Sequence, residues 1–360
     1  MDFFDELDVA IRAEEARCQI SIDRIENYDV SIWGAGLRGL LLRTSLTDIK
    51  IKAIYDSNPD LWNKKEGICP FTVPRGENPL VMLCISKASG YETVAARLRK
   101  LGILYINAWA LVYKRNFEQL RFVHDHLLSD SGSRETYQAV IRRNIFHNDQ
   151  YAQDIWCDYQ YFALPQFNRV SPKTVFVDCG AYVGDTLEEF VRRNNSGFKR
   201  YIAFEPAQPL FHAMSLRAAR LCAENCIDEH RIILENKGVG KAEGTLTLTV
   251  NSAIKSGSST SVSGEGVDVP VVPLNQYFSR SDDRVTCIKA DIEGAEYDML
   301  MGAKELIQRD RPNLAISIYH DIHDLFRIPL LIHEFVPEYK MAVRHHSVSD
   351  SETILYCYIE

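Results

Sequence analysis

Three stretches of the chain hold residues whose types and spacing could do chemistry. The first is Val175-Phe176-Val177-Asp178-Cys179-Gly180-Ala181-Tyr182-Val183-Gly184-Asp185-Thr186. It reads as an apolar strand that ends in an acid, then a glycine turn that opens a helix. Gly180 permits a tight turn, and Gly184 lets a ligand approach the start of the helix, whose free N–H groups suit a carboxylate or phosphate. The second stretch is Phe204-Glu205-Pro206, the end of the next strand, with Glu205 21 residues after Gly184. An acid there can accept hydrogen bonds from two ribose hydroxyls. The third is Ile288-Lys289-Ala290-Asp291-Ile292-Glu293-Gly294-Ala295-Glu296, where a strand ends at Asp291 and two more acids crowd the following helix start. The helix dipole explains Glu296 as well as a functional role does. Together the three stretches predict a nucleoside-bearing ligand at the carboxyl edge of a parallel sheet.

The kind of nucleoside follows from charge. An acid directly before the glycine turn repels a pyrophosphate but suits a cationic amino-acid ligand such as S-adenosylmethionine. Methyl transfer from such a ligand needs alignment of donor and acceptor. A hydroxyl acceptor must also lose its proton as the new bond forms. Asp291 and His320 stand at the ends of adjacent predicted strands, and either is a candidate general base, with Glu293 or Glu296 handling substrate. His320, Asp321, His323 and Asp324, together with Asp291, offer metal-ligand types, but Leu325, Ile328 and Leu331 describe an amphipathic helix with His323 on its surface. No metal is therefore expected. His345 and His346 are expected to be solvated.

Asp178-Cys-Gly-Ala-Tyr-Val-Gly-Asp-Thr186, Phe204-Glu205-Pro206 and Asp291-Ile-Glu-Gly-Ala-Glu296 together resemble the FkbM family of S-adenosylmethionine-dependent methyltransferases. Glu235-Asn236-Lys237-Gly238-Val239-Gly240, Arg311-Pro312, Ile318-Tyr319-His320 and Glu352-Thr-Ile-Leu-Tyr356 add to the likeness, which covers about residues 158–360. The resemblance implies a class I methyltransferase fold, a seven-stranded sheet with one antiparallel strand, acting mostly in O-methylation of sugars and natural products. It implies that Asp178, Gly180, Ala181, Gly184, Asp185 and Thr186 flank the methionine end. Glu205 with Pro206 would hold the ribose, Asn236 would lie near the adenine, and Asp291 beside the methyl group.

Elements that could position these residues are legible in the alternation of the chain. Strands are predicted at 30–33, 49–55, 80–86 and 103–108, with helices between them, so residues 1–115 read as a smaller Rossmann-like α/β domain. Residues 116–170 read as a helical connector, with Ser133 capping its second helix. Residues 171–360 resume the alternation as the methyltransferase domain, with a hairpin at 245–250 and 267–272 around a Ser/Gly loop at 256–261. Gln160-Tyr161-Phe162 could wall the acceptor pocket. The first domain has its own glycine loop, Gly34-Ala35-Gly36-Leu37-Arg38-Gly39, with Asp56 20 residues after Gly36. That spacing fits a dinucleotide fingerprint. The region is short and lacks partner catalytic residues, which favours a scaffold or docking role. The alternatives are an NAD(P)- or nucleotide-sugar-binding oxidoreductase built on this loop, and a non-catalytic cofactor-binding module.

Composition narrows the partners. The 360 residues carry a net charge of −8, and residues 1–30 hold nine acids against three bases. Most of the charge thus belongs to one N-terminal helix, a solubility or docking feature outside both glycine loops. The near-neutral remainder argues against nucleic acid and for a small, carbohydrate-like hydroxyl acceptor. No apolar run is long enough for a membrane helix. The acidic start lacks signal-peptide character, and nine scattered cysteines read as reduced thiols in a cytoplasmic protein. A homodimer is compatible with all of this.

Overall fold

A computed structural model describes residues 2–62, 67–194, 197–249 and 266–360. The chain forms two compact units. The first comprises Met1–Trp156 with the short segments Tyr319–Phe326 and Ser347–Ser351, and the second comprises Cys157–Ile318, Arg327–His346 and Glu352–Glu360. The helices predicted as a connector between 116 and 156 thus belong to the first unit, and 157–170 to the second. Among the described residues, no helix is long and apolar enough to cross a membrane.

The first unit is built on five parallel strands: β1 (Asp29–Trp33), β2 (Ile54–Tyr55), β3 (Ile68–Cys69), β4 (Pro79–Leu83) and β5 (Leu104–Asn107). Their order is β3-β2-β1-β4-β5, so the chain reverses direction of growth between β1 and β4. Val30, Ile32, Leu80, Val81, Met82 and Leu83 are fully buried, as befits strands covered on both faces. The helix Ala88–Lys100 buries Tyr91, Val94, Ala95 and Leu98, an i, i+3, i+4, i+7 stripe. The strand expected over 49–55 shrinks to two residues, and Ile68–Cys69 adds an edge strand that no periodicity in so short a run announces.

Capping also departs from expectation. The helix Ser131–Phe146 is capped by Asp130, whose carboxylate accepts from the Ser133 amide at 2.7 Å, rather than by Ser133 itself. The acidic N-terminal helix Phe3–Cys18 buries Phe4, Leu7 and Ile11, and Glu15 pairs with the buried Lys114 at 2.8 Å. Its charge is therefore partly matched within the unit.

The second unit contains β6 (Val175–Cys179), β7 (Arg200–Phe204), β8 (Ile232–Glu235), β9 (Gly238–Val239), β10 (Gly244–Thr249), β11 (Gly266–Val272), β12 (Cys287–Ala290), β13 (Asn313–Ser317), β14 (Lys340–His345) and β15 (Thr353–Tyr358). Seven of them form one sheet in the order β14-β15-β13-β12-β6-β7-β8. β15 runs antiparallel to both its neighbours, and the other pairings in the sheet are parallel. This is the seven-stranded arrangement with one reversed strand that the resemblance implied. β10 and β11 form the expected hairpin, extended by β9 into a small separate sheet. The Ser/Gly loop at 256–261 and Val250 lie outside the described residues.

One face of the large sheet is filled by Phe176, Tyr201, Phe190, Leu187 and Met214, with Phe176 and Tyr201 stacked at 5.1 Å. Each such side chain contributes on the order of 1.5–3 kcal/mol by leaving water. His345 is buried against Thr353 and is interior rather than solvated, while His346 is half-buried and held by the Cys157 carbonyl at 2.7 Å. The antiparallel return of β15 places both at the sheet end, where their ring nitrogens find partners.

Candidate functional site

The site residues of the second unit stand at the carboxyl ends of β6, β7, β8 and β12, four adjacent strands. The turn after β6 is Gly180-Ala181-Tyr182-Val183-Gly184. Gly180, Tyr182 and Gly184 all adopt positive φ, at 81°, 50° and 78°. Gly180 is required here: a Cβ on it would lie 1.9 Å from the Asp291 carbonyl oxygen. The turn is pinned to β7, because the Gly180 and Ala181 amides both donate to the Phe204 carbonyl at 3.0 Å. The helix Asp185–Asn194 follows, with Asp185 exposed and Thr186 buried.

Glu205 ends β7 and is 4% exposed. One carboxylate oxygen accepts from the Tyr182 amide at 2.9 Å, the other from the Ala207 amide at 2.8 Å. A carboxylate offers about four acceptor sites, so about two remain for a ligand. Burial pushes the carboxyl up to about 7, against the two backbone hydrogen bonds and Lys289, which lower it. Asn236, just past β8, donates to the carbonyls of Glu205 and Pro206 at 2.8 and 3.0 Å, and so fixes the backbone behind the carboxylate.

Asp178 has a different fate from the one its position suggested. It is fully buried, 2.9 Å from the Lys289 ammonium, and accepts from the Tyr201 hydroxyl at 2.5 Å. Its charge is matched inside the protein. Lys289 in turn donates to the Gly180 carbonyl at 2.6 Å and lies 5.0 Å from the Tyr161 ring. Burial works against its charge, but Asp178 and Asp291 hold its pKa above the ordinary value. The acid before the glycine turn thus anchors the turn through Lys289.

Asp291 is half-buried and accepts from the Tyr161 hydroxyl at 2.6 Å. Glu293, with φ 57°, and Gly294, with φ 93°, carry the loop over the end of β12. Glu296 is fully buried and accepts from the amides of Ile292 and Gly294 at 2.8 and 3.0 Å, which makes it the loop's internal cap. His320 lies in the segment Tyr319–Phe326 of the first unit, 4% exposed, with its ring 4.1 Å from that of Tyr319. His323 is engaged by Asp321 at 2.8 Å.

Two residues have partners that the motifs did not announce. Lys289 was visible as a cation inside an otherwise apolar strand, a placement that requires a buried partner. Tyr161 was expected only as part of a pocket wall, Gln160-Tyr161-Phe162, and carried no local signal of its partner. Its hydroxyl reaches Asp291 across 130 residues of sequence.

Residues 178–340 match the family model of the methyltransferase FkbM domain. No curated protein sequence matches the chain. Among solved structures, methyltransferase FkbM from Methylobacillus flagellatus KT is similar over 99% of both chains, with 21% identity and a TM-score of 0.62. That likeness extends the shared fold across both units. An rRNA methylase from Streptococcus thermophilus matches 56% of this chain and 99% of its own, at 11% identity and a TM-score of 0.34. Spermidine synthase from Thermotoga maritima matches 58% of this chain and 59% of its own, at 13% identity and a TM-score of 0.33.

Proposed function

We propose that this chain, which carries a methyltransferase FkbM domain at residues 178–340, is an S-adenosylmethionine-dependent O-methyltransferase acting on a small, carbohydrate-like hydroxyl acceptor in the cytoplasm. The observation that carries the reading is Glu205. Its carboxylate sits at the end of β7 against the glycine turn, with acceptor capacity left beyond its two backbone hydrogen bonds. A vicinal diol is the ligand group that fills such capacity.

The residues present fit the cofactor. Glu205 would accept from the ribose hydroxyls, and Asn236 with Pro206 would border the base. The Gly180–Gly184 turn with Asp185 and Thr186 would flank the amino-acid end. S-adenosylmethionine would supply a methyl group already activated on a sulfonium. The protein then has two tasks. It must hold the acceptor oxygen in line with that methyl, and it must take the hydroxyl proton as the bond forms. Asp291 or His320 is the proposed base, and Glu293 a contact to the acceptor. The Tyr161 hydroxyl bond to Asp291 orients that carboxylate.

The test is incubation with radiolabelled S-adenosylmethionine and a host small-molecule extract, followed by Asp291→Asn and His320→Ala on the labelled product's reaction. Transfer of label to a hydroxyl compound is expected, and loss of turnover without loss of S-adenosylhomocysteine binding in at least one variant. Wild-type turnover in both variants would remove these bases from the mechanism. Absence of cofactor binding would remove the function itself.

A further inference from the structure

The first unit's own glycine loop has the geometry of a nucleotide site. Gly34-Ala35-Gly36-Leu37-Arg38-Gly39 links β1 to the helix Leu37–Ser45. A Cβ on Gly39 would lie 1.8 Å from the Gly34 carbonyl, the close helix–strand approach of a dinucleotide fingerprint. The loop stands where the sheet order reverses, between β1 and β4, the place where open α/β sheets take their ligands. Its acid is already engaged: Asp56 accepts from the Ala35 amide at 2.7 Å and from the Asn58 amide at 2.8 Å.

What meets the loop is the chain itself. Arg38 forms an ion pair with Asp350 and donates through Nη2 to the Asp350 carbonyl at 3.3 Å. Its Nε and Nη2 both donate to the Tyr319 carbonyl, at 3.0 and 2.9 Å. From the other side of the switch point comes Arg143, 2% exposed, which donates to the Ser86 carbonyl beyond β4 at 2.8 Å. Its Nη2 lies 3.6 Å from the Asp350 carboxylate and 2.7 Å from Asp149. Burial alone would raise the Asp350 carboxyl, but Arg38 and Arg143 bring it down to about 2, so it is a full anion. A half-buried carboxylate between two arginines supplies the negative charge that a phosphate would bring to such a loop.

We propose that this switch point is an internal anion site whose ligand is the Asp350 carboxylate, and that Arg38 there is a positioning residue for His320. The second half rests on the reading of His320 as general base. The double hydrogen bond from Arg38 fixes the peptide immediately before His320, and a guanidinium fork on one carbonyl leaves that peptide little rotation. The loop therefore takes no dinucleotide: its cationic group is matched and its place filled.

Hydrogen exchange of the full chain, read by mass spectrometry, tests this. In Arg38→Ala and Asp350→Ala, amides of 319–326 and 347–351 should exchange roughly tenfold faster or more, while those of β6 and β12 hold. Formate should restore protection in Asp350→Ala and not in Arg38→Ala. Arg38→Lys should rescue only in part, because an ammonium lacks the fork. The 15N signals of the His320 ring should shift in Arg38→Ala and return toward the wild type in Arg38→Lys. ADP and NAD should give no binding heat with the wild-type protein. Unchanged exchange in both alanine variants, no effect of formate, or wild-type binding of ADP or NAD would each overturn the internal site. If Arg38→Ala does not fold, Arg38→Lys and the formate titration of Asp350→Ala decide it. Lost protection combined with full turnover in His320→Ala would keep the site and remove only the base.

Discussion

Glu205→Gln should reverse the usual expectation that removing a buried charge weakens a folded protein at one pH as at another. Burial raises the Glu205 carboxyl from 4.5 to about 7. The folded protein therefore binds this proton more tightly than the unfolded chain does. The sign follows: the group is neutral and without penalty below pH 4.5, and stability falls as pH rises from there toward 7. The full penalty is about 3 kcal/mol, and about 2.5 kcal/mol of it accrues between pH 5 and pH 8. Glutamine does not titrate. It also offers one acceptor oxygen where Tyr182 and Ala207 supply two donors. That loss, about 1–2 kcal/mol, is the same at every pH and shifts the curve without tilting it.

The assay is thermal or urea unfolding of wild type and Glu205→Gln at half-unit steps from pH 5 to pH 8, without cofactor. The stability difference between the two proteins should move by about 2.5 kcal/mol in favour of the glutamine variant across that range. For a unit of this size that is a shift of roughly 5–10 °C in Tm. Calorimetry supplies the functional half. Ribose hydroxyls favour the ionised carboxylate, so S-adenosylhomocysteine binding at pH 6 should release most of a proton. The enthalpy should then vary with the ionisation enthalpy of the buffer, and that variation should vanish in Glu205→Gln. Parallel stability curves for the two proteins would refute the burial argument. A tilted curve with no proton release would refute the ribose contact alone.

Other expected outcomes concern the scaffold. Lys289→Met should destabilise the second unit by about 3–5 kcal/mol by stranding the Asp178 charge, and Asp178→Leu added to it should recover much of that, as urea titrations would show. Gly180→Ala should cost more than about 2 kcal/mol and impair S-adenosylhomocysteine binding, since its Cβ meets the Asp291 carbonyl and its φ is 81°. Burial, with Arg143 adding to it, lowers His147 from 6.5 to about 4, so its contribution is present above pH 6.5 and is lost as pH falls toward 4, by about 3 kcal/mol in full. His147→Phe should keep the stack on Tyr91, at 3.8 Å in the native protein, and flatten the acid limb of the first unit's unfolding curve. In the wild type the His147 and Glu205 slopes oppose each other between pH 4.5 and 6.5, so only the variants separate them.

Local order determined what could be read from the sequence alone. A strand, a glycine turn and a helix start are fixed by neighbours within a few residues, so the Gly180 turn, Glu205 and the Asp291 loop were legible from residue type and spacing. So was the alternation that predicts two α/β sheets, because buried parallel strands need apolar runs and their helices need an apolar stripe. Strand length on one side of the first sheet was not legible: β2 and β3 are two residues each, too short for periodicity to speak.

Tertiary structure decided which charges face a ligand and which face each other. Asp178 reads as a ligand contact until the sheet pairs β6 with β12 and brings Lys289 beside it. The Arg38 fingerprint residue reads as part of a nucleotide loop until Tyr319 and Asp350, 281 and 312 residues away, arrive at its guanidinium. Each of these is a pairing between residues with no local relation. A charge chooses its partner by proximity in space, and proximity over hundreds of residues is set by packing and not by spacing along the chain.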